Sequence, residues 1–240
     1  MNVQNQSVAG RPYRGMLAIE VDTPERLAFL RKVYSLFGAA MAVFAATAWW
    51  GTTSATAQRL LAPIFSMGIL GPILVMIGLF LMLRATASRY PLNVVALVAV
   101  AGLEGLLTAP LLLYVLSVDP VAGGGIIAKA SIMTVVVFGG LTLYTLTTRA
   151  DFSWMRAALW IGFAILFGFS LLGLLFGWDT TGFGISLAWI VLMAGFTVYD
   201  TNTIMHRYPT SMAAAAAATL FIDFVLMFQR MLLLLTSRRD

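Results

Sequence analysis

From residue 33 onward, long apolar runs alternate with short polar breaks. A helix needs about 20 predominantly apolar residues to cross a bilayer. The runs near 33–50, 62–83, 91–117, 126–147, 154–176, 183–205 and 212–237 therefore predict seven membrane spans. Thr23-Pro24-Glu25 predicts the start of the first helix, with a capping hydroxyl, proline at the first helical position and an acid in the first turn. Pro72 predicts a kink inside the second span, tolerated because neighbouring groups can satisfy the freed carbonyl. Ser153 predicts the cap of the fifth span, and Gly173 with Gly177 predicts close approach of another helix there. Trp49, Trp50, Tyr90, Trp154, Trp178 and Tyr208 fall near span ends, where aromatic belts form. Residues 1–22 are polar and read as a flexible tail, and residues 23–240 as one all-α membrane domain.

Composition narrows the class. The chain is 60% hydrophobic and 10% charged, with mean hydropathy +0.92, whereas soluble domains carry about 25% charge. It has no cysteine, which excludes disulfides and thiolate metal sites. The net charge of +5 forms no basic patch with interleaved aromatics, so nucleic acid is not an expected partner. The basic residues sit instead at span ends. Arg11, Arg14, Arg26, Arg31, Lys32, Arg84, Arg89, Arg149, Arg156 and Arg207 fall on the N-terminal side. Arg59, Lys129, Arg238 and Arg239 fall on the other, with Arg230 inside the last span. That bias predicts a cytoplasmic N-terminus. Arg238-Arg239 argues locally the other way, and a re-entrant last span would return the C-terminus to the cytoplasm. A cleavable leader is not expected, because the first apolar run follows a long tail that includes Glu20, Asp22 and Glu25.

Two aspartates stand out against this background. Asp200 lies in Val198-Tyr199-Asp200-Thr201 and Asp223 in Leu220-Phe221-Ile222-Asp223-Phe224, on adjacent helices joined by a short polar turn. An aspartate at the centre of a membrane helix costs roughly 2.5–3.5 kcal/mol on insertion scales. Measured from the turn near 207–211, Asp200 lies about 10 Å deep and Asp223 about 18 Å. Glu104 lies roughly 20 Å from the same side. Arg84 closes the second span at that end and can reach toward Asp200. Two carboxylates in a low-dielectric site cannot both ionise cheaply, so they form a protonatable pair that titrates as a unit. Such a pair suits proton sensing. With waters it would also make a weak calcium site, since calcium prefers several hard oxygens. Glu104 reads equally as part of an ion pathway or as a structural acid. Arg230 reads as structural or snorkelling, His206 as interfacial, the methionines as core, and the alanines at 213–218 as a close-packing surface. No nucleophile–base pair, GxSxG or HExxH motif is present, so an enzyme is not expected.

With those residues in view, the chain resembles the Bax inhibitor-1 (TMBIM) family of seven-helix membrane proteins. The likeness runs from about Arg26 to Arg239 and includes the two aspartate motifs, Glu104-Gly105-Leu106-Leu107 and the segment from Leu141 to Ser153. The resemblance implies six helices around a central C-terminal helix, and a pH-sensitive calcium leak with Asp200 and Asp223 as sensor and gate and Arg84 as their partner. Calcium is then a permeant or weakly bound ion, with no tightly bound cofactor. The implied setting is the bilayer of a bacterial inner membrane. The chain departs from the family pattern at Leu226, where many members carry asparagine, and at Leu233, where many carry arginine. Some bacterial members instead modulate a membrane-anchored AAA protease. Regulation of such a protease, or of stress and cell-death partners, without ion conduction is therefore the alternative expectation.

Overall fold

The computed structural model describes residues 16–19, 22–68, 70–148, 150–178, 180 and 182–237. Arg11, Arg14, Arg149, Arg238 and Arg239 of the charge pattern, and most of the tail, lie outside these. The described chain is all-α. Its helices are α1 Thr23–Thr53, α2 Ala55–Ser66, α3 Leu70–Thr86, α4 Leu92–Val118, α5 Gly123–Thr147, α6 Met155–Phe176, α7 Phe183–Arg207 and α8 Ala213–Thr236, with a single 3-10 turn at Thr210–Met212. Among the described residues, six helices are individually long and apolar enough to cross a membrane.

The second span departs from expectation. In place of one helix kinked at Pro72, α2 and α3 meet at a bend of 100°. The break lies at Gly68, whose φ of 63° is left-handed backbone that glycine adopts without a Cβ clash. Pro72 falls in the first turn of α3, where its missing N–H would have had no helical partner in any case. Three smaller readings also change. Helix α1 is capped by Asp22 rather than Thr23, without a side-chain bond. Ser153 does not cap α6. Its amide and hydroxyl instead donate to the Asp151 carboxylate, each at 2.9 Å. Gly173 and Gly177 end α6: Gly177 has φ 72° and the Trp178 amide donates to the Gly173 carbonyl at 2.8 Å. These two glycines therefore build a left-handed C-cap, and among the described residues no second helix seats against them as a pair.

A close approach of two long helices is found elsewhere. A Cβ on Gly105 of α4 would overlap the Thr47 hydroxyl and the Phe44 carbonyl of α1. Helix α8 is the most deeply buried and packs against α1, α3, α4, α5 and α7. Its phenylalanines recur at helical spacing and meet rings from two neighbours. Phe221 and Phe228 meet Phe44 of α1 at 5.9 and 6.2 Å, and Phe224 meets Phe138 of α5 at 5.3 Å. Of the alanines at 213–218, all but Ala215 are buried, in keeping with the close-packing reading. Part of the tail is also fastened. Leu17 bridges to Pro209, the Ala18 amide donates to the Tyr208 carbonyl at 3.0 Å, and the Thr210 amide donates to the Met16 carbonyl at 3.1 Å. Residues 16–18 thus strap the α7–α8 turn, where a loose tail was expected.

Candidate functional site

Helices α7 and α8 run antiparallel from that turn, and each contributes one acid to their shared face. The side chains of Asp200 and Asp223 meet by a hydrogen bond. A carboxylate is an acceptor only, so two carboxyl groups can bond to each other only when one carries a proton. Asp223 is buried, and its Oδ2 has no hydrogen-bond partner among the described residues. Across the turn, the Tyr208 hydroxyl and Thr219 Oγ1 lie 3.1 Å apart and tie the two helices together on the turn side of the pair.

A cavity of ≈ 640 Å³ opens beside the pair. Glu104 of α4, itself buried, joins Asp200 and Asp223 in its wall, so all three expected acids face one space. Arg156 and Arg207 also line it, with Tyr199, Thr203, Tyr208 and Thr219 as further polar residues, and the remaining walls are apolar, Phe80, Trp160 and Phe196 among them. Arg84 does not reach this space. It is exposed in the last turn of α3 and is not among the lining residues. The arginines that do line the cavity had been read only as topology signals. Their placement depends on the packing of α6 and α7, which spacing along the chain does not encode. Among the described residues, no three carboxylate or histidine side chains converge as a metal site. The aspartate pair alone offers too few hard oxygens for calcium without water.

The remaining candidates have structural surroundings. The Arg230 guanidinium lies over the Trp189 ring at 4.6 Å, a cation–π contact between α8 and α7. His206 Nδ1 is 2.8 Å from the Asn202 carbonyl one turn back on its own helix, and the residue is half-buried at the end of α7. Gln229 donates to Thr108 at 2.9 Å, joining α8 to α4 one turn beyond Glu104. Asn202 donates to the Ala150 carbonyl at 3.1 Å, holding the α5–α6 loop against α7. In that loop the Ser153 amide and hydroxyl hold the Asp151 carboxyl below the usual carboxylate range, helped by the charges of Arg207 and His206.

Known proteins share this chain across most of its length. A mouse protein named Protein lifeguard 4 is 30% identical over 213 residues, 86% of this chain and 84% of that one. The Golgi anti-apoptotic protein of vaccinia virus (strain Lister) is 29% identical over 217 residues, 88% of this chain and 85% of its own. An uncharacterized protein of Campylobacter jejuni is 34% identical over 210 residues, 87% of this chain and 88% of that one. The family profile described as Inhibitor of apoptosis-promoting Bax1 matches residues 26–240, and the chain therefore belongs to the Bax inhibitor family of multi-pass membrane proteins.

Proposed function

We propose that this protein is a pH-sensitive calcium leak of a bacterial inner membrane, gated by the Asp200–Asp223 pair. The observation that carries the reading is the hydrogen-bonded contact of two acids on adjacent helices, one of them buried, in the wall of a cavity. An ionisable side chain inside a membrane bundle is costly enough that an ion or proton pathway is its default use. In this reading α2 and α3 form one broken span, seven spans result, and the other helices surround α8. Holding a shared proton keeps α7 and α8 clasped. Losing it sets two negative charges against each other and loosens the clasp, while making the site attractive to a cation. Glu104, facing the same cavity, extends the carboxylate lining along the path. Arg207 and Arg156 take the charge-balancing place first given to Arg84.

The test is calcium flux into proteoliposomes between pH 5 and 8 for wild type, Asp200→Asn and Asp223→Asn. Each amide replacement should flatten the pH profile while the protein stays folded. Profiles that match wild type in both variants would sink the proposal.

A second reading is supported by the relatives' printed names, two of which concern protection from cell death or carry the lifeguard name. In it the chain regulates partner membrane proteins, a membrane-anchored AAA protease among them, without conducting ions. Deleting residues 1–22 should then abolish co-purification of the partner. Retained capture, both in that deletion and in variants of the lipid-facing surface, would count against it.

A further inference from the structure

A second cavity, of ≈ 850 Å³, lies at the end of the molecule where α7 turns into α8. Three separate stretches build it. Helix α1 supplies Lys32, the α3–α4 connection supplies Ser88, Arg89 and Tyr90 with Asn93 just beyond, and the turn into α8 supplies Ser211. No carboxylate is among its lining residues. Two cations from distant parts of the chain thus face one space with no anion between them among the described residues, an arrangement that a bound anion relieves. Ala213 and Ala214 also line it, so the start of α8 brings the positive end of its dipole to the same space. Those are the elements from which phosphate sites are made.

A second observation specifies more than phosphate. Asn93 is buried; its Nδ2 donates to the Ala87 carbonyl at 3.3 Å, while its Oδ1 has no partner among the described residues. An orphaned buried acceptor beside two cations fits a ligand that carries hydroxyl donors as well as an anion. The rest of the wall includes the apolar Leu36 and Val94. At its rim Tyr90 is exposed, with the exposed Leu92 beside the cavity, and Lys32 lies 5.7 Å from the Tyr90 ring centre, the amphipathic arrangement found at a membrane surface. We propose that this cavity binds the headgroup of an anionic glycerophospholipid, with Lys32 and Arg89 on the phosphate, Asn93 Oδ1 accepting from a glycerol hydroxyl, and the acyl chains leaving over Leu92. Basic cavities among membrane helices on the cytoplasmic side are suited to such headgroups. The headgroup would then bind α1 and the start of α4 to the first turn of α8, the helix that carries Asp223.

Native mass spectrometry of the full chain in detergent tests this, using dioctanoyl phosphatidylglycerol, dioctanoyl phosphatidylcholine and inorganic phosphate as probes. Each basic residue near an anionic headgroup contributes about fivefold in affinity, so Lys32→Gln with Arg89→Gln should weaken phosphatidylglycerol binding by about 30-fold. Both side chains are exposed, so the double variant should fold, as its circular dichroism would verify. Lys129→Gln, an exposed cation on α5, should bind phosphatidylglycerol as wild type does. Equal phosphatidylglycerol binding by the double variant would overturn the proposal, as would equal retention of phosphatidylcholine by wild type. Displacement of the lipid by inorganic phosphate at matched concentration would assign the site to the free anion and also overturn the lipid. Failure of phosphate to compete supports it. None of these outcomes depends on ion flux, so the result stands apart from the leak reading.

Discussion

Gly105 is the residue where α1 and α4 are held closest, and the reason is steric. A Cβ there has nowhere to go except into the Thr47 hydroxyl and the backbone carbonyl of Phe44. Gly105→Ala should therefore destabilise the protein by about 1–3 kcal/mol, the usual range for overpacking a tight contact. Gly102, one turn earlier, would meet its nearest neighbours at 3.8 Å. Gly102→Ala should be neutral or stabilising by about 0.5–1 kcal/mol, because alanine loses less backbone entropy in a helix. Thermal unfolding in detergent of the two variants side by side checks the pair of signs. The same scale explains why the aspartates were legible and their surroundings were not. A charged residue in an apolar run is conspicuous by itself, whereas Arg156, Tyr208 and Thr219 are ordinary residues that matter only through what they face.

At the scale of elements, the turns carry the information that the runs do not. The α5–α6 loop is organised by Asp151, which accepts from the Ser153 amide and hydroxyl, and by the Asn202 bond to Ala150. The Asp151 carboxyl is held below its ordinary range, so its folded form binds a proton less readily than the unfolded chain. Its contribution is accordingly present above the ordinary carboxylate range and is lost as pH falls through the lower folded value. Hydrogen exchange at the Ser153 amide should lose protection at acid pH in wild type, and Asp151→Ala should show the unprotected behaviour at neutral pH. Equal protection in both proteins at neutral pH would remove this organising role. The expectation of Ser153 as a cap came from its hydroxyl and its place before an apolar run. The backbone turn instead puts Asp151 in the accepting position, two residues earlier. Similarly, Gly173 and Gly177 have the spacing of a helix-packing motif, and only the φ of Gly177 reveals a terminator.

For the whole molecule, the decisive question is which end faces which side. The described basic residues Lys32, Arg89 and Arg207 gather at the end that holds the strap and the α7–α8 turn. That end should be cytoplasmic by the positive-inside bias. Because the chain has no cysteine, single substitutions report topology without background. Ser88→Cys and Ser211→Cys, both exposed, should react with a membrane-impermeant maleimide only from the cytoplasmic side, and the exposed Gly124→Cys only from the opposite side. Labelling of all three from one side would refute the arrangement of spans proposed above.

The amino-acid sequence alone determined the all-α membrane class, the bounds of most spans to within a few residues, and the two aspartates. It could do so because bilayer thickness imposes a run length, and because a charge inside such a run has a large free-energy cost that is local to the residue. The 183–207 and 213–236 helices, which carry the pair, were legible almost to the residue for that reason. Tertiary structure decided what no local signal encodes: the 100° break at Gly68, the strap of residues 16–18 on the turn, the exposed position of Arg84, and the cavity that gathers Glu104, Asp200 and Asp223 with Arg156 and Arg207. These depend on the rotation of each helix about its axis and on which neighbour it packs against. On helices that are apolar nearly all round, hydropathy carries little record of either.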